Sequence, residues 1–228
     1  MSVDGVALVH GSNLSAACWD RVVEHLSTRA VAVDLPGRGG RLAEVTAVTL
    51  DDCVRAVIDS ADRAGMARFL LVGHSLGGVV ITETTWRHPD RVAGLIYVAG
   101  LVPASEESPA SVIFGDDLPA EEPRMPTEER AQLFFANDMT DEQWVEVWKQ
   151  FVPESARLWN ARLCGYPRGV PVTYVSLTDD VGVPPELAEQ MIANIGTEVD
   201  HRVLSAGHIV MVTKPRELAE IINEVAHR

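Results

Sequence analysis

The sequence is poor in cysteine, poor in basic residues and without long apolar runs, and each shortage closes off a class of protein. Three cysteines, Cys18, Cys53 and Cys164, are odd in number and widely spaced, with no CxxC pair. That excludes a disulfide scaffold, a zinc ribbon and a dithiol redox centre, and predicts buried free thiols in a reducing cytosol. Lysine and arginine total 19 against 33 acidic residues, a formal net charge of -14. Such a surface repels phosphate backbones and anionic lipid, so neither nucleic acid nor a membrane is an expected partner. No stretch approaches the roughly 18 apolar residues of a membrane span, and Met1-Ser2-Val3-Asp4 has no basic region leading into an apolar one. The expectation is a soluble, cytoplasmic protein. With 46% apolar and 23% charged residues, disorder is excluded as well.

What is present is an alternation of short apolar runs with helical patterns, spread over 228 residues, enough for one domain with an insertion. Strands are predicted at Val6–Val9, Ala30–Leu35, Phe69–Val72, Gly94–Val98, Val172–Leu177 and His201–Leu204. Their Val, Leu and Ile runs scarcely alternate, as in strands buried on both faces of a mainly parallel sheet. Helices are predicted at Ala16–Ser27, Leu50–Ala64, Leu76–Arg87, Pro185–Asn194 and Pro215–His227. Pro185 and Pro215 stand where a first helical turn tolerates proline. The class is α/β, a six-stranded sheet flanked by helices.

Between Leu101 and Gly165 the alternation breaks down, so residues 1–100 and 166–228 read as the core and 101–165 as a helical cap. The insertion holds thirteen acidic and five basic residues, a solvated acidic outer face. Thr140-Asp141-Glu142-Gln143 matches a capping box, and Trp144, Trp148 and Phe151 follow on one helical face. A second helix near Pro153 carries Leu158 and Trp159.

Gly73-His74-Ser75-Leu76-Gly77 matches G-x-S-x-G, directly after the strand Phe69–Val72 and before a helix. In that context the serine stands on a tight turn that lifts its hydroxyl above the sheet. A serine hydroxyl is a weak nucleophile without a base. Among seven histidines, His208 alone lies just past a C-terminal strand, where loops from the carboxyl ends of parallel strands converge on ligands. Spacing puts the orienting acid at Asp179 or Asp180 after the preceding strand without choosing between them, and Glu106 or Glu107 is a lesser alternative. The negative charge that builds on a carbonyl oxygen during acyl transfer requires backbone donors already in place. The expected pair is the Leu76 amide and the Ser12 amide, in the loop His10-Gly11-Ser12.

These residues resemble the α/β-hydrolase superfamily, and within it the group holding the plant methylesterases of salicylate-esterase type and the plant hydroxynitrile lyases. The likeness is carried by Val9-His10-Gly11 with Trp19 downstream, Gly73-His74-Ser75-Leu76-Gly77-Gly78, Ile96-Tyr97-Val98-Ala99 leading to Pro103, Thr178-Asp179-Asp180-Val181-Gly182-Val183-Pro184, and Ala206-Gly207-His208. It implies an α/β-hydrolase fold reduced to six strands, and it places the acid at Asp180, before x-Gly-[Ile/Val]-Pro. The lyases of the group carry lysine after the catalytic histidine, where this chain has Ile209, and lack Gly11, so the resemblance implies an esterase.

The function expected is hydrolysis of a small, largely apolar carboxylic ester or lactone, with Ser75 attacking, His208 as base and Asp180 orienting it. Activity should rise with pH from the reference imidazole pKa near 6.5. Trp144, Trp148 and Trp159 are candidate substrate-lining residues of the cap. This chemistry calls for no metal and no organic cofactor, and the reading leaves a homodimer open. Carbon-carbon hydrolysis, lyase chemistry or a biosynthetic dehydration or cyclisation on the same constellation, or a slow ligand-binding receptor, are the alternatives that fold and triad do not separate.

Overall fold

A computed structural model describes residues 3–228; Met1 and Ser2, which open the N-terminal stretch considered above, lie outside the described residues. Strands β1 (Val6–Val9), β2 (Ala30–Val33), β3 (Phe69–His74), β4 (Val92–Val98), β5 (Val172–Leu177) and β6 (Asp200–Leu204) form one sheet in the order β2-β1-β3-β4-β5-β6. All five pairings are parallel. The helices are α1 (Asp20–Val23), α2 (Leu50–Arg63), α3 (Gly77–Arg87), α4 (Pro109–Phe114), α5 (Glu128–Phe135), α6 (Asp141–Trp148), α7 (Ala156–Trp159), α8 (Pro185–Ile195), α9 (Val210–Thr213) and α10 (Pro215–Ala226).

Strands β1, β3 and β5 are buried at every position, which is why their sequences run apolar without alternation. Removing each such Val or Leu from water contributes about 1.5–3 kcal/mol. The edge strand β6 alternates instead and leaves Val203 exposed. Helix α2 opens on a capping box in which Thr49 and Asp52 satisfy each other's backbone amides, and α8 and α10 begin on proline as expected.

Several predicted boundaries move for local reasons. The strand expected to reach Leu35 stops at Val33, because Asp34 turns to accept the Ala16 amide at 2.9 Å and the Leu35 amide donates to His10 Nε2 at 3.3 Å. The helix expected over Ala16–Ser27 is a 3₁₀ turn at Ala16–Trp19 followed by the short α1, and the chain leaves it through i→i−3 bonds at His25 and Leu26. Strand β3 runs on to His74, beyond Val72, since its backbone still pairs with β4 there, His74 against Val98. Cys18 and Cys53 are buried free thiols as expected, but Cys164 is exposed, past the end of α7. No helix of the described residues is long and apolar enough to cross a membrane.

Residues 101–165 carry α4 to α7 and meet the core at the carboxyl end of the sheet. Asn13 Nδ2 donates to the carbonyls of Arg124 (2.8 Å) and Val152 (2.9 Å), and Ser155 Oγ to that of Val48 (2.7 Å). Arg38 and Glu154 form an ion pair at 2.5 Å with both side chains buried. The sheet order turns at β1, with β2 on one side and β3 on the other. In such sheets the crevice between the carboxyl ends of β1 and β3 is where ligands bind.

Candidate active site

Strand β3 ends at His74 and α3 begins at Gly77, so Ser75 and Leu76 alone make the turn. Ser75 sits at φ +51°, a left-handed conformation that costs a residue with a Cβ of order 1–3 kcal/mol. Its backbone is held on both sides. The Ser75 amide donates to the Val98 carbonyl at 3.1 Å, and its carbonyl accepts from Gly78 and Leu101, each at 2.9 Å. The turn is also crowded: a Cβ on Gly73 would lie 2.8 Å from the Gly77 carbonyl oxygen, and one on Gly77 2.7 Å from that of His10. This is the steric reason for glycine on either side of the serine.

Three side chains from three loops meet at this turn. His208 Nε2 lies 3.0 Å from Ser75 Oγ, and His208 Nδ1 lies 2.8 and 2.9 Å from the two Asp180 oxygens. Ser75, His208 and Asp180 are 7%, 4% and 4% exposed, so little water competes for these bonds. Asp180 Oδ1 also accepts the Gly182 and Val183 amides at 2.7 and 2.8 Å, which fixes the carboxylate. A carboxylate accepts, so Nδ1 donates and the Nε2 lone pair faces the serine hydroxyl. Asp179, the other acid that spacing allowed, is exposed, and its carboxylate accepts only from Ser205 Oγ, at 3.3 Å.

The His10–Asn13 loop packs directly on the serine, since a Cβ on Gly11 would lie 2.9 Å from Ser75 Cβ and 2.7 Å from His74 Nδ1. Among the described residues the Ser12 and Leu76 amides donate to no protein group. Two backbone donors without a protein acceptor are thus left in the serine turn and in the loop packed on it. His10, in the same loop, is fully buried. Burial first, then the Arg38 charge, pushes its pKa down to about 3. It is neutral, with Nε2 accepting from Leu35 and Nδ1 donating to the Gly11 carbonyl at 2.8 Å.

A model of the Alpha/beta hydrolase family matches residues 6–221, the whole sheet and everything between its strands. The chain belongs to the alpha/beta hydrolase family. A pyrethroid hydrolase of Sphingobium wenxiniae is 29% identical over 99% of this chain and 89% of that protein. Methylesterase 1 of Arabidopsis thaliana is 23% identical over 97% of this chain and 95% of that protein, in keeping with the resemblance to plant methylesterases. The crystal structure of a pyrethroid hydrolase matches with a TM-score of 0.81 at 28% identity, covering 99% of this chain and 98% of that one.

In this alpha/beta hydrolase the three tryptophans singled out by sequence fall in two places. Trp159 is beside the His10–Asn13 loop, its indole N–H donating to Ser12 Oγ at 3.2 Å and its ring 5.1 Å from that of Phe114. Trp144 and Trp148 stack on each other at 5.8 Å and pack on Phe151. The ring against His208 is one that sequence did not single out: Phe135 lies over it at 5.1 Å and reaches the tryptophan cluster through Phe151. His74 was also passed over. Its Nε2 donates to the His208 carbonyl at 2.9 Å, and burial, then the nearby His208, holds its pKa well below the ordinary value. The elbow motif displays His74, but only the fold shows what it touches. Asn13 is another such residue, at φ +61° and joined to two carbonyls of the 101–165 segment.

Proposed function

We propose that this chain hydrolyses a small, largely apolar carboxylic ester or lactone through an acyl-enzyme intermediate. The observation that carries the reading is the continuous hydrogen-bonded line from Asp180 through His208 to Ser75 Oγ, with 2.8 and 3.0 Å steps. Ser75 Oγ attacks the ester carbonyl carbon as its proton passes to His208 Nε2, and Asp180 stabilises the imidazolium. The carbonyl oxygen, now negative, accepts from the Ser12 and Leu76 N–H groups, which have no protein acceptor of their own. The carbon–oxygen bond to the alcohol breaks as His208 returns the proton to the leaving oxygen. Water then attacks the acyl-serine, giving its proton to His208, and the acid leaves as Ser75 regains its hydrogen.

The names of the relatives, methylesterase and pyrethroid hydrolase, favour ester hydrolysis over the other reactions this constellation supports. The rings of Phe135, Phe151 and Trp159 near the base and the donor loop favour an apolar acyl or alcohol group. We read residues 101–165 as the cap over that group. The partner is then a small molecule rather than nucleic acid or a membrane, as the net charge of -14 favours, and three unpaired cysteines suit the reducing cytoplasm.

The test is covalent. A fluorophosphonate should add to Ser75 stoichiometrically by intact mass, and Ser75→Ala should lose both the adduct and the turnover of methyl and aryl esters. A protein that takes no adduct and turns over none of a panel of methyl, aryl and lactone esters would be something other than this hydrolase.

A further inference from the structure

The two loops that carry Asp180 and His208 are tied from outside the sheet by adjacent side chains of the 101–165 segment. Asp138 Oδ2 accepts the Gly207 amide at 2.7 Å, one residue before His208. Asn137 Nδ2 donates to the Asp179 carbonyl at 2.6 Å, one residue before Asp180. The contact is close, for a Cβ on Gly207 would lie within 2.4 Å of Asp138 Oδ1 and 2.7 Å of Asn137 Oδ1. Glycine at 207 therefore has a reason that the histidine motif alone does not provide: it leaves room for this pair.

The other ties on the base are few. The Asp179 amide donates to the Ala206 carbonyl at 3.1 Å, and His74 holds the carbonyl of His208. With Asp138 on the preceding amide, the stretch that presents the imidazole is fixed from both sides. The arrangement is also a poor choice for stability alone. Asp138 Oδ1 is buried without a hydrogen-bond partner, and an unmet buried acceptor costs free energy.

We propose that Asp138, seconded by Asn137, is a positioning residue for the hydrolytic site: it holds the Gly207-His208 stretch so that Nε2 stays in reach of Ser75 Oγ. The proposal rests on the reading of Ser75, His208 and Asp180 as a hydrolytic triad. Neither Asp138 nor Asn137 has a hydrogen bond to any of those three side chains; both act through the backbone that carries them. A consequence is that seating the 101–165 segment aligns the triad, so that the segment contributes to the chemical step as well as to covering the substrate.

The experiment compares Asp138→Ala and Asp138→Asn in the full chain, measuring kcat and KM on an aryl ester, the rate of fluorophosphonate labelling at Ser75, and thermal unfolding. Misplacing a catalytic group by about 1 Å costs up to about 100-fold, so D138A should lower kcat and the labelling rate about 10- to 100-fold. KM should stay within about threefold, since the lost contact bears on the reacting geometry and not on substrate affinity. D138N keeps an acceptor oxygen for the Gly207 amide and should recover most of both rates. If D138A does not fold, Asp138→Ser, too short to reach that amide, decides in the same way. Wild-type rates in D138A, a change confined to KM, or a D138N protein as slow as D138A would each overturn the proposal. Wild-type protein that neither labels nor turns over ester would sink the hydrolase reading itself, whereas normal wild-type chemistry with an indifferent D138A removes only this inference.

Discussion

The sheet and the 101–165 segment are built by opposite means. The sheet is held by ladders of backbone bonds around central strands buried on both faces, and Ser75 and the free amide donors stand at its carboxyl end. The segment has helices of six, eight, eight and four residues, too short to be stable alone, and depends on caps at Ser108, Thr127 and Thr140 and on polar ties to the core. Yet Phe135, Asn137 and Asp138, which lie against His208 and its neighbours, belong to the segment. The Ser75 turn is thus mounted on the sheet, and its surroundings are completed by the part of the molecule with the weakest independent claim to structure. Substitutions in the two regions should separate activity from stability.

The largest expected effect falls on the sheet side. Asp180→Asn should lower kcat by about 10⁴-fold, because the imidazole loses its tautomer and its countercharge, while melting stays near wild type. Asp179→Asn is the matched control and should keep nearly full activity; the reverse ranking in steady-state kinetics would break the assignment. Next is the junction between the regions. Glu154→Gln leaves the Arg38 guanidinium buried without its partner, and removing one member of such a pair costs about 3–5 kcal/mol. Urea unfolding of E154Q should show that loss, and a double replacement of Arg38 and Glu154 by apolar residues should regain most of it.

Acid should act on the core next. His10 is held near pH 3 in the folded chain against about 6.5 unfolded, so between those values the unfolded chain binds the extra proton and stability rises with pH. The contribution is fully present above about pH 6.5 and falls by about 1.4 kcal/mol per pH unit below it, about 2 kcal/mol by pH 5. His74 adds a loss of the same sign. His10→Gln should therefore show a shallower fall in urea midpoint from pH 7 to pH 5 than wild type; parallel slopes would count against a buried neutral imidazole. The smallest effect belongs to the segment. Thr140→Ala removes the cap on α6, worth about 1 kcal/mol, and hydrogen exchange should quicken there while β3 stays protected.

Much of the site was legible from local chemistry. Gly73-His74-Ser75-Leu76-Gly77 needs glycine where backbone crowds backbone, and that requirement is written into neighbouring residues. The central strands were legible because burial on both faces leaves them mainly apolar, and the error at Leu35 arose where the Asp34 and His10 side chains take over backbone bonds. The choice between Asp179 and Asp180 was invisible to spacing, since the two differ only in which way the turn after β5 faces.

By itself the sequence determined the α/β class, the serine turn and the place of His208 after the last strand, because those depend on periodicity and on residues within a few positions of one another. Only the tertiary structure decided that Phe135 lies on His208, that His74 grips its carbonyl, and that Asn137 and Asp138 reach Asp179 and Gly207. Those contacts span up to 134 positions of chain, and nothing local constrains which residues meet across such a distance. Folding brings them together by packing short, separately capped helices onto the carboxyl end of a sheet whose own order is set by burial.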